Sequence, residues 1–529
     1  MSLIEIEHLK YRYPNTEKLA LDDISLSIEK GEFIGIVGRN GAGKSTLGQA
    51  IIGLVPRFYN GAYGGKVTVN GRLVEETPTP EMCETVGLIF QNPFNQLSGA
   101  KETVFGEVCY GVENLGVEPK EIHRRVENAL KQLDIWEYRD RNPFELSGGQ
   151  MQRVAIASIL VMQPDIIILD EPTSQLDPQG TEEVFSVVDK LTNTGITILM
   201  IEQKLEKLAG YSDRIILMDD GKVVCFDTPE AVFKRSDLES FGVQPFVYYP
   251  GRKVTTKELE TYYGSGVIKN EQASLKEEIF AVKDVDFSYL KDVPIFEGLN
   301  LSLDKRPTAI IGQNGAGKTT LVRLLKGLLK PVSGNIYFMK EDISEKTVAM
   351  LADKVGYVFQ NPDDQIFKYK VIDEVMFGPL NIGMSPKKAR EEAKKALELM
   401  GLSGMEDVNP YDLELYERKM TAIASVIAMD TDVIILDEPT IAQDYLGRKT
   451  IGKMIREMTA KGKLVIAILH DMDFVWENFE RVIVMAHGKI LCEGNSAEVF
   501  SQDEILKEAR LQKPHGVALG QSLQKSGEI

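Results

Sequence analysis

The 529-residue sequence contains four cysteines, and none of them forms a paired CxxC spacing. Zinc sites and iron–sulfur clusters are built from cysteines at such short spacings. The sequence therefore fits neither kind of module. We interpret Cys83, Cys109, Cys225 and Cys492 as ordinary reduced cysteines in core or surface positions.

Long apolar runs are also absent from the sequence. None approaches the roughly 18 consecutive apolar residues that a membrane-spanning helix needs. The first residues, MSLIEIEHLKYRYP, have neither the basic block nor the apolar block of a signal peptide. We expect a cytoplasmic chain that reaches the cytoplasmic face of the cell membrane only through partner proteins, without inserting into the membrane directly.

Positive charge is in deficit, because 61 Lys and Arg stand against 79 Asp and Glu, for a formal net charge of −18. Binding to nucleic acid phosphates rests on a basic surface. We therefore predict no nucleic acid partner, although the net charge leaves a local basic patch open.

The length is too great for one core and suits two large α/β domains or three ordinary ones.

What the sequence does contain is one internal repeat. GRNGAGKST (38–46) returns as GQNGAGKTT (312–320), and DIIILDEPT (165–173) returns as DVIILDEPT (432–440). The offset drifts only from 274 to 267 residues between these blocks, as loop insertions would cause. We predict three parts from this duplication: a first domain at 1–240, a linker at 241–276, and a second domain with a C-terminal tail at 277–529.

Each copy has the pattern of an α/β domain. FIGIV (33–37) and IIIL (166–169) are short apolar runs, typical of strands that are buried on both faces of a parallel sheet. TPEMCE and SPKKAREEAKKALELM favour helices. The order of these segments predicts an α/β core that carries a helical subdomain.

A glycine-rich loop, G-x4-G-K-[ST], lies between a predicted strand and a predicted helix in each copy. Its glycines let backbone N–H groups turn toward a phosphate, and the helix N-terminus adds its positive dipole end. Lys44 and Lys318 supply positive charge for the β- and γ-phosphates, and Ser45 and Thr319 supply hydroxyls for Mg²⁺. A chance glycine-rich turn is the alternative, and two matches in register argue against it. The nucleotide-binding residues predicted in these loops are Gly38, Asn40, Gly41, Gly43, Lys44, Ser45, Thr46, Gly312, Asn314, Gly315, Gly317, Lys318, Thr319 and Thr320.

A pair of acids follows an apolar strand in each copy. Asp170 and Asp437 end their strands at the carboxyl edge of the sheet, where an Asp can bind Mg²⁺ directly or through water. Glu171 and Glu438 come next, and each is placed to polarise an attacking water as a general base. The alternative is a purely structural acid that caps a helix or forms a salt bridge, and recurrence of the pair argues against it.

LSGGQ (146–150), together with the two phosphate loops and the two DEPT blocks, resembles the ABC transporter ATPase family over nearly the whole chain. The resemblance implies two ABC-type nucleotide-binding domains, each with a helical subdomain, that bind ATP and Mg²⁺ and hydrolyse ATP. It also implies that each ATP lies between one domain's phosphate loop and the other domain's signature. Ser147, Gly148, Gly149 and Gln150 would then complete the site of the second loop.

The same resemblance assigns further residues. Gln91 and Gln360 would reach Mg²⁺ and the attacking water, and His470 would contact the γ-phosphate. Tyr13 and Tyr289 would stack on adenine, although an aromatic residue at a strand end can also be simple core. The predicted Mg²⁺ ligands are Ser45, Gln91, Asp170, Thr319, Gln360 and Asp437.

The two copies are predicted to be unequal. The residues aligned with 147–150 are ELYE (414–417), so a carboxylate and bulky side chains replace a hydroxyl and glycines. The first copy has Gln203 where the second has His470. Both changes fall in the pocket built on Lys44, so we predict one competent site and one impaired site that mainly holds nucleotide. The predicted catalytic residues are Glu438 and His470 in the competent site and Glu171 and Gln203 in the impaired site.

The segments IFQNPFNQLS (89–98) and VFQNPDDQIF (358–367) resemble the glutamine-loop segment of energy-coupling-factor transporter ATPases. This resemblance implies an importer of a vitamin, a vitamin precursor or a transition-metal ion. Its implied partners are a membrane scaffold protein that docks near Gln91 and Gln360 and a small substrate-capturing membrane protein. A solvated turn is the alternative interpretation of the second segment.

Two other functions stay open. One is a soluble tandem ATPase that acts on ribosomes or nucleic acid, and the short connector and acidic charge argue against it. The other is a tandem sugar-importer ATPase, and the FQNP context favours the first interpretation over it.

Overall fold

The computed structural model describes residues 2–174, 176–249, 277–290 and 293–526, and residues 252, 254 and 258 individually. Most of the predicted 241–276 linker lies outside these residues. The chain divides into two compact units, which are Met1–Lys253 with Asp444–Leu446, and Val254–Gln443 with Gly447–Ile529.

The strands of the first unit form two sheets. One sheet has four antiparallel strands in the order β2-β1-β4-β5, and the other has six strands in the order β10-β9-β3-β8-β7-β6. The six-stranded sheet is parallel except where β9 meets β10. The bounds are β1 (Ser2–Arg12), β2 (Leu21–Glu29), β3 (Phe33–Val37), β4 (Ala62–Val69), β5 (Arg72–Leu73), β6 (Val86–Ile89), β7 (Ile166–Asp170), β8 (Thr197–Ile201), β9 (Arg214–Asp219) and β10 (Lys222–Asp227).

The central strands are apolar on both sides because the six-stranded sheet separates two hydrophobic cores. Along β3, Phe33 and Val37 pack into one core, and Ile34 and Ile36 pack into the other. Successive side chains of a strand point to opposite faces, so both faces need apolar residues. This burial explains the continuous FIGIV run.

Helices α1, α3, α6, α8 and α9 contact this sheet, and α4, α5 and α6 pack on one another as the predicted helical subdomain. Prolines occupy the first positions of α5 and α7, where a missing N–H costs nothing. The bounds are α1 (Lys44–Ile52), α2 (Leu54–Arg57), α3 (Thr79–Thr85), α4 (Val104–Asn114), α5 (Pro119–Gln132), α6 (Gly148–Leu160), α7 (Pro178–Thr192), α8 (Leu205–Tyr211) and α9 (Pro229–Phe233).

The second half of the chain repeats this order, with sheets β12-β11-β14-β15 and β16-β17-β18-β13-β19-β20. Its strands are β11 (Phe280–Leu290), β12 (Val293–Leu303), β13 (Thr308–Gly312), β14 (Ser333–Phe338), β15 (Glu341–Asp342), β16 (Val355–Val358), β17 (Val433–Asp437), β18 (Leu464–Ile468), β19 (Arg481–Ala486) and β20 (Lys489–Asn495). Its helices are α10 (Lys318–Leu325), α11 (Val371–Asn381), α12 (Pro386–Leu399), α13 (Leu415–Ile427), α14 (Tyr445–Ala460), α15 (Met472–Asn478), α16 (Ser496–Phe500), α17 (Asp503–Glu508) and α18 (His515–Ser526).

The α/β class predicted from the sequence is confirmed, with a helical subdomain in each copy. The separate antiparallel sheet in each copy was not predicted. Within the described part of the chain, none of the helices combines the length and the apolar character needed to span a bilayer.

Candidate nucleotide sites

The phosphate loops require glycine at their first position. Gly38 has φ 143° and Gly312 has φ 153°. A Cβ added at either residue would lie 2.1 Å from a carbonyl oxygen of the neighbouring strand, β9 or β19. No side chain fits that distance, so the loop can turn at this point only with glycine.

Each loop lysine is held inside its own loop. Lys44 Nζ donates to the carbonyl oxygens of Gly38 and Arg39 at 2.9 and 2.8 Å. Lys318 Nζ makes the same two bonds in the second unit, at 2.7 and 2.9 Å. α1 and α10 begin at these lysines, and the first N–H groups of a helix have no acceptor within the helix itself. The remaining predicted loop residues, Asn40, Gly41, Gly43, Asn314, Gly315 and Gly317, lie in the same two turns.

The predicted Mg²⁺ ligands lie at the end of the same sheet in each unit. Ser45 Oγ donates to Asp170 Oδ1 at 3.0 Å. In the second unit Tyr357 donates to Asp437 Oδ2 at 2.8 Å, and Asp437 Oδ1 is buried without a hydrogen-bond partner among the described residues. Burial raises the pKa of both aspartates. Hydroxyl and carboxylate oxygens are the ligands that Mg²⁺ prefers, so the donor set fits this ion, with Thr319 in the position of Ser45.

In the first unit, Glu171 lies between two glutamines. Its carboxylate accepts hydrogen bonds from Gln91 Nε2 at 2.7 Å and from Gln203 Nε2 at 3.0 Å. Burial raises the pKa of Glu171 to about 7, although the charge of Lys44 acts in the opposite direction. The buried carboxylate of Glu202 adds to the rise. Glu171 is therefore partly protonated near neutral pH.

In the second unit, Glu438 lies between a glutamine and a histidine. Its carboxylate contacts Gln360 Nε2 at 2.9 Å and His470 Nε2 at 2.9 Å. Burial works against ionisation, but the hydrogen bond and charge of His470 hold the pKa of Glu438 below its usual value. Glu438 has φ 49° and Glu171 has φ 45°, a strained backbone region for a residue with a side chain. Such strain is common at functional sites, and both glutamates carry it.

The signature segment, LSGGQ (146–150), begins a helix. Ser147 is the N-cap of α6, where its Oγ accepts from Gln150 N at 3.4 Å and its own N–H donates to Gln150 Oε1 at 3.1 Å. Gly148 and Gly149 form the first turn, and a Cβ on Gly149 would lie 3.0 Å from Gly180 Cα. Gly149 thus serves close helix packing as well as any contact with phosphate.

The corresponding segment of the second unit also begins a helix, but its side chains differ. Glu414 is the N-cap of α13, and its N–H donates to Glu417 Oε2 at 2.9 Å. Leu415 and Tyr416 occupy the first turn in place of the glycines. The replacement therefore changes side chains on a preserved backbone.

The two predicted adenine-stacking tyrosines lie beside the helices that follow the phosphate loops. The hydroxyl of Tyr13 is 3.1 Å from Thr46 Oγ1, and that of Tyr289 is 3.3 Å from Thr320 Oγ1. Tyr289 is 55% exposed. The stacking itself stays a prediction.

Three buried polar residues beside these sites were missed by sequence reasoning. Each differs from its counterpart in the other copy, so a full alignment of the two copies at the 267–269 offset would have found them. They are Glu202, Tyr357 and Lys419, opposite Leu469, Leu88 and Gln152.

The chain is similar to known proteins over its whole length. The family model described as ABC transporter matches residues 21–174 and 296–441, more than half of the chain. One relative from Methanosarcina acetivorans and one from Caldanaerobacter subterraneus are each 36% identical over 99% of this chain, and the matches cover 91% and 96% of those relatives. Both are provisionally named ABC transporter ATP-binding proteins.

The chain therefore belongs to the ABC transporter family, and it is a tandem member that binds and hydrolyses ATP. The family prediction made from the repeated motifs is confirmed. Among solved structures, CbiO1 of Clostridium perfringens, titled part of the ABC transporter complex CbiONQ, is 34% identical. That match covers 45% of this chain and 92% of CbiO1, with a TM-score of 0.40.

Proposed function

We propose that the chain is the ATP-hydrolysing subunit of an energy-coupling-factor type importer for a vitamin, a vitamin precursor or a transition-metal ion. One of its two composite sites is competent, and the other is degenerate. The competent site combines Lys318, Thr319, Gln360, Asp437, Glu438 and His470 with Ser147, Gly148, Gly149 and Gln150. The degenerate site combines Lys44, Ser45, Gln91, Asp170, Glu171 and Gln203 with residues 414–417.

The observation that carries this asymmetry is the pairing of each glutamate. Glu438 has a depressed pKa and contacts His470, so it is ionised and can accept a proton from water as that water attacks the γ-phosphate. Gln360 donates to the same carboxylate and can orient the water. Glu171 has a pKa near 7 and contacts the neutral Gln203, so it is a weaker base at neutral pH.

ATP binding uses the loops in both units. Lys44 and Lys318 can exchange their backbone carbonyl partners for phosphate oxygens, because phosphate offers a full negative charge. Bound Mg²⁺ would neutralise the β- and γ-phosphate oxygens, held by Thr319 and Asp437 in the competent site. In the degenerate site, the carboxylate of Glu414 would face the γ-phosphate. Two such charges 4 Å apart repel by about 4 kcal/mol at an effective dielectric near 20.

A pair of matched variants tests the asymmetry. Glu438→Gln removes the ionised base, so we expect steady-state ATP hydrolysis to fall by about 100-fold or more. Glu171→Gln should leave most of the activity. ATP binding, measured with a fluorescent analogue, should persist in both variants and serves as the control. Equal losses in the two variants would contradict the proposal.

Exposed aromatic side chains beside the glutamine loops support a docked partner. After Gln91, the chain forms a short turn capped by Asn92, whose Oδ1 accepts from Phe94 N at 3.0 Å. Phe94 is 54% exposed and stacks on Phe144, which is 44% exposed, with ring centroids 6.1 Å apart. A solvated turn needs no such pair of rings.

The second unit has a similar patch. Phe367 is 49% exposed and lies edge-to-face with Phe377, with ring centroids 4.6 Å apart. Tyr369 beside it is 79% exposed. Exposed aromatic clusters are typical of protein interaction surfaces. Both patches lie just after a glutamine loop, which favours docking of a membrane scaffold protein there.

Co-purification from membranes tests the partner. Wild type should recover an integral membrane scaffold protein, and the double variants Phe94→Ser with Phe144→Ser, or Phe367→Ser with Tyr369→Ser, should lose it. Phe58→Ser is the matched control, because Phe58 is 71% exposed and outside these patches.

The identity of the recovered partner separates the three functions. Ribosomal RNA in place of a membrane protein would favour the soluble tandem ATPase. Recovery of sugar-importer membrane domains would favour the tandem sugar-importer ATPase.

A further inference from the structure

A buried lysine on α13 reaches the end of strand β17. Lys419 is 2% exposed, and its Nζ donates to the carbonyl oxygens of Phe359, Gln360 and Asp437 at 2.9, 2.7 and 3.1 Å. A lysine ammonium has three N–H donors, so these bonds use all of them. All three acceptors are backbone oxygens. The hydrogen bonds of Lys419 therefore hold the backbone in place.

These carbonyls belong to two segments that leave the sheet side by side. The ladder between β16 and β17 ends at the pair Val358 and Leu436. Beyond that pair, the Gln360 segment and the Asp437 segment no longer pair with each other, although Asp437 still pairs with Ile468 of β18. Lys419 bridges the two segments at this point, and one ammonium thus sets the spacing between their backbones.

That spacing matters because the next polar contact crosses the same gap. Gln360 Nε2 donates to Glu438 Oε2 at 2.9 Å, and Glu438 directly follows the bridged Asp437. A catalytic base must be held to a fraction of an ångström, and a misplacement of about 1 Å can reduce the rate about 100-fold.

The first unit lacks this bridge. Gln152 occupies the equivalent position on α6 and is 0% exposed. Both polar atoms of its side-chain amide are without a hydrogen-bond partner among the described residues. Among the described residues, the bridge is therefore a feature of the second unit, where Lys419 holds two backbone segments, and Gln152 makes no such contact in the first.

We propose that Lys419 is a positioning residue for ATP hydrolysis at the second phosphate loop. It holds the glutamine loop and the end of β17 at the spacing that the contact between Gln360 and Glu438 needs. This role rests on the proposed function, in which the second loop belongs to the competent site. The hydrogen bonds of Lys419 go to the backbone of Gln360 and Asp437 and to neither Lys318 nor Thr319 of the phosphate loop, so we expect a larger effect on the chemical step than on ATP binding.

The test replaces Lys419 by its counterpart, as Lys419→Gln in the full-length chain. We expect kcat to fall about 10-fold to 100-fold, while KM for ATP and the affinity for a fluorescent ATP analogue change by less than about two-fold. Lys419→Met removes every hydrogen bond of the side chain and should lower kcat at least as much.

The matched control is Lys463→Gln. Lys463 is also buried, donates to the carbonyl oxygen of Thr431 at 2.6 Å and pairs with Asp430 at 2.7 Å, before the start of β17. It touches no predicted site residue, so this variant should keep its kcat even if its Tm falls. A loss of kcat that follows the loss of Tm in both lysine variants would overturn the positioning role.

A further comparison separates the positioning role from the proposed function. Lys419→Gln with normal kcat, in a protein that Glu438→Gln inactivates, would overturn the positioning role alone. Full activity of Glu438→Gln would overturn the proposed function and the positioning role with it.

Discussion

In the first unit Glu171 accepts hydrogen bonds from Gln91 and Gln203, and in the second unit Glu438 contacts Gln360 and His470. All four distances lie between 2.7 and 3.0 Å. The two glutamates also share the same left-handed backbone. The duplicated scaffold has thus kept the geometry around this glutamate in both copies.

The charges around the two glutamates have diverged. Glu171 has the buried acid Glu202 nearby, and the second unit has Leu469 at that position. Glu438 has His470 and Lys419 nearby, and the charges of both lower its pKa. A duplicated site can therefore change its chemistry through neighbouring side chains while its backbone stays the same.

The largest expected effect on ATP hydrolysis comes from replacing His470 by glutamine, the residue that the first unit has at the equivalent position 203. His470→Gln removes the partner that keeps Glu438 ionised, so we expect steady-state ATP hydrolysis to fall by about 100-fold, with ATP binding retained. A wild-type rate would show that the histidine has no catalytic meaning.

Repairing the proposed degenerate site, which takes residues from both units, is the converse experiment. In a Glu438→Gln background, turnover should reappear when the degenerate site regains the missing groups. The repair combines Gln203→His with Glu414→Ser, Leu415→Gly, Tyr416→Gly and Glu417→Gln.

Another prediction concerns the free energy of unfolding. Replacing the glutamate by glutamine should raise it in the first unit and lower it in the second. The folded pKa of Glu171 is raised, so its ionised form destabilises the fold as pH rises from about 4.5 to 7. Glu171→Gln should therefore stabilise the nucleotide-free chain by about 2–3 kcal/mol above pH 7. The folded pKa of Glu438 is lowered, so its charge stabilises the fold at neutral pH, and Glu438→Gln should destabilise it.

Urea denaturation at pH 7.5 with a chelator present measures both effects. The same measurement at pH 4.5 is the reference, because Glu171 is then protonated in the folded state and about half protonated in the unfolded state, which leaves little of its contribution. Shifts of the same sign in the two variants would show that the glutamates do not differ in charge.

The repeat allowed much of this comparison to be predicted from the sequence. Each loop lysine, Lys44 or Lys318, is separated in sequence from the acid that ends β7 or β17 by loops and helices. Each of these residues nevertheless has a fixed place in a strand–loop–helix pattern. Such motifs depend on short segments whose backbone geometry is local. The fold class and the family could be predicted for the same reason.

Long-range contacts could not be predicted in this way. The contact between Gln360 and Glu438 joins residues 78 positions apart, and that between Tyr357 and Asp437 joins residues 80 apart. Their side chains meet only because β16 and β17 are neighbours in the sheet. The shift in the pKa of Glu171 depends on three-dimensional burial, which no spacing in the sequence encodes.

The smallest expected effect lies away from the glutamates. Lys326 follows α10, is buried, and donates to the carbonyl oxygen of Val355, whereas the first unit has Ile52 at this position. Burial lowers the pKa of Lys326 to about 8, although the charge of Asp353 opposes this. Between about pH 8 and the ordinary lysine pKa near 10.4, the unfolded chain binds more protons than the folded chain.

The contribution of Lys326 to stability should therefore rise with pH in that window. The free energy of unfolding of wild type, relative to Lys326→Ile, should increase by about 1–2 kcal/mol from pH 8 to pH 10. Taking the difference between the two proteins cancels the tyrosines that titrate in the same range. Urea denaturation at constant ionic strength measures this difference in the free energy of unfolding. If the difference in the free energy of unfolding between wild type and Lys326→Ile does not change with pH, Lys326 keeps its ordinary pKa. The replacement of Ile52 by Lys326 between the two units would then have no electrostatic cost.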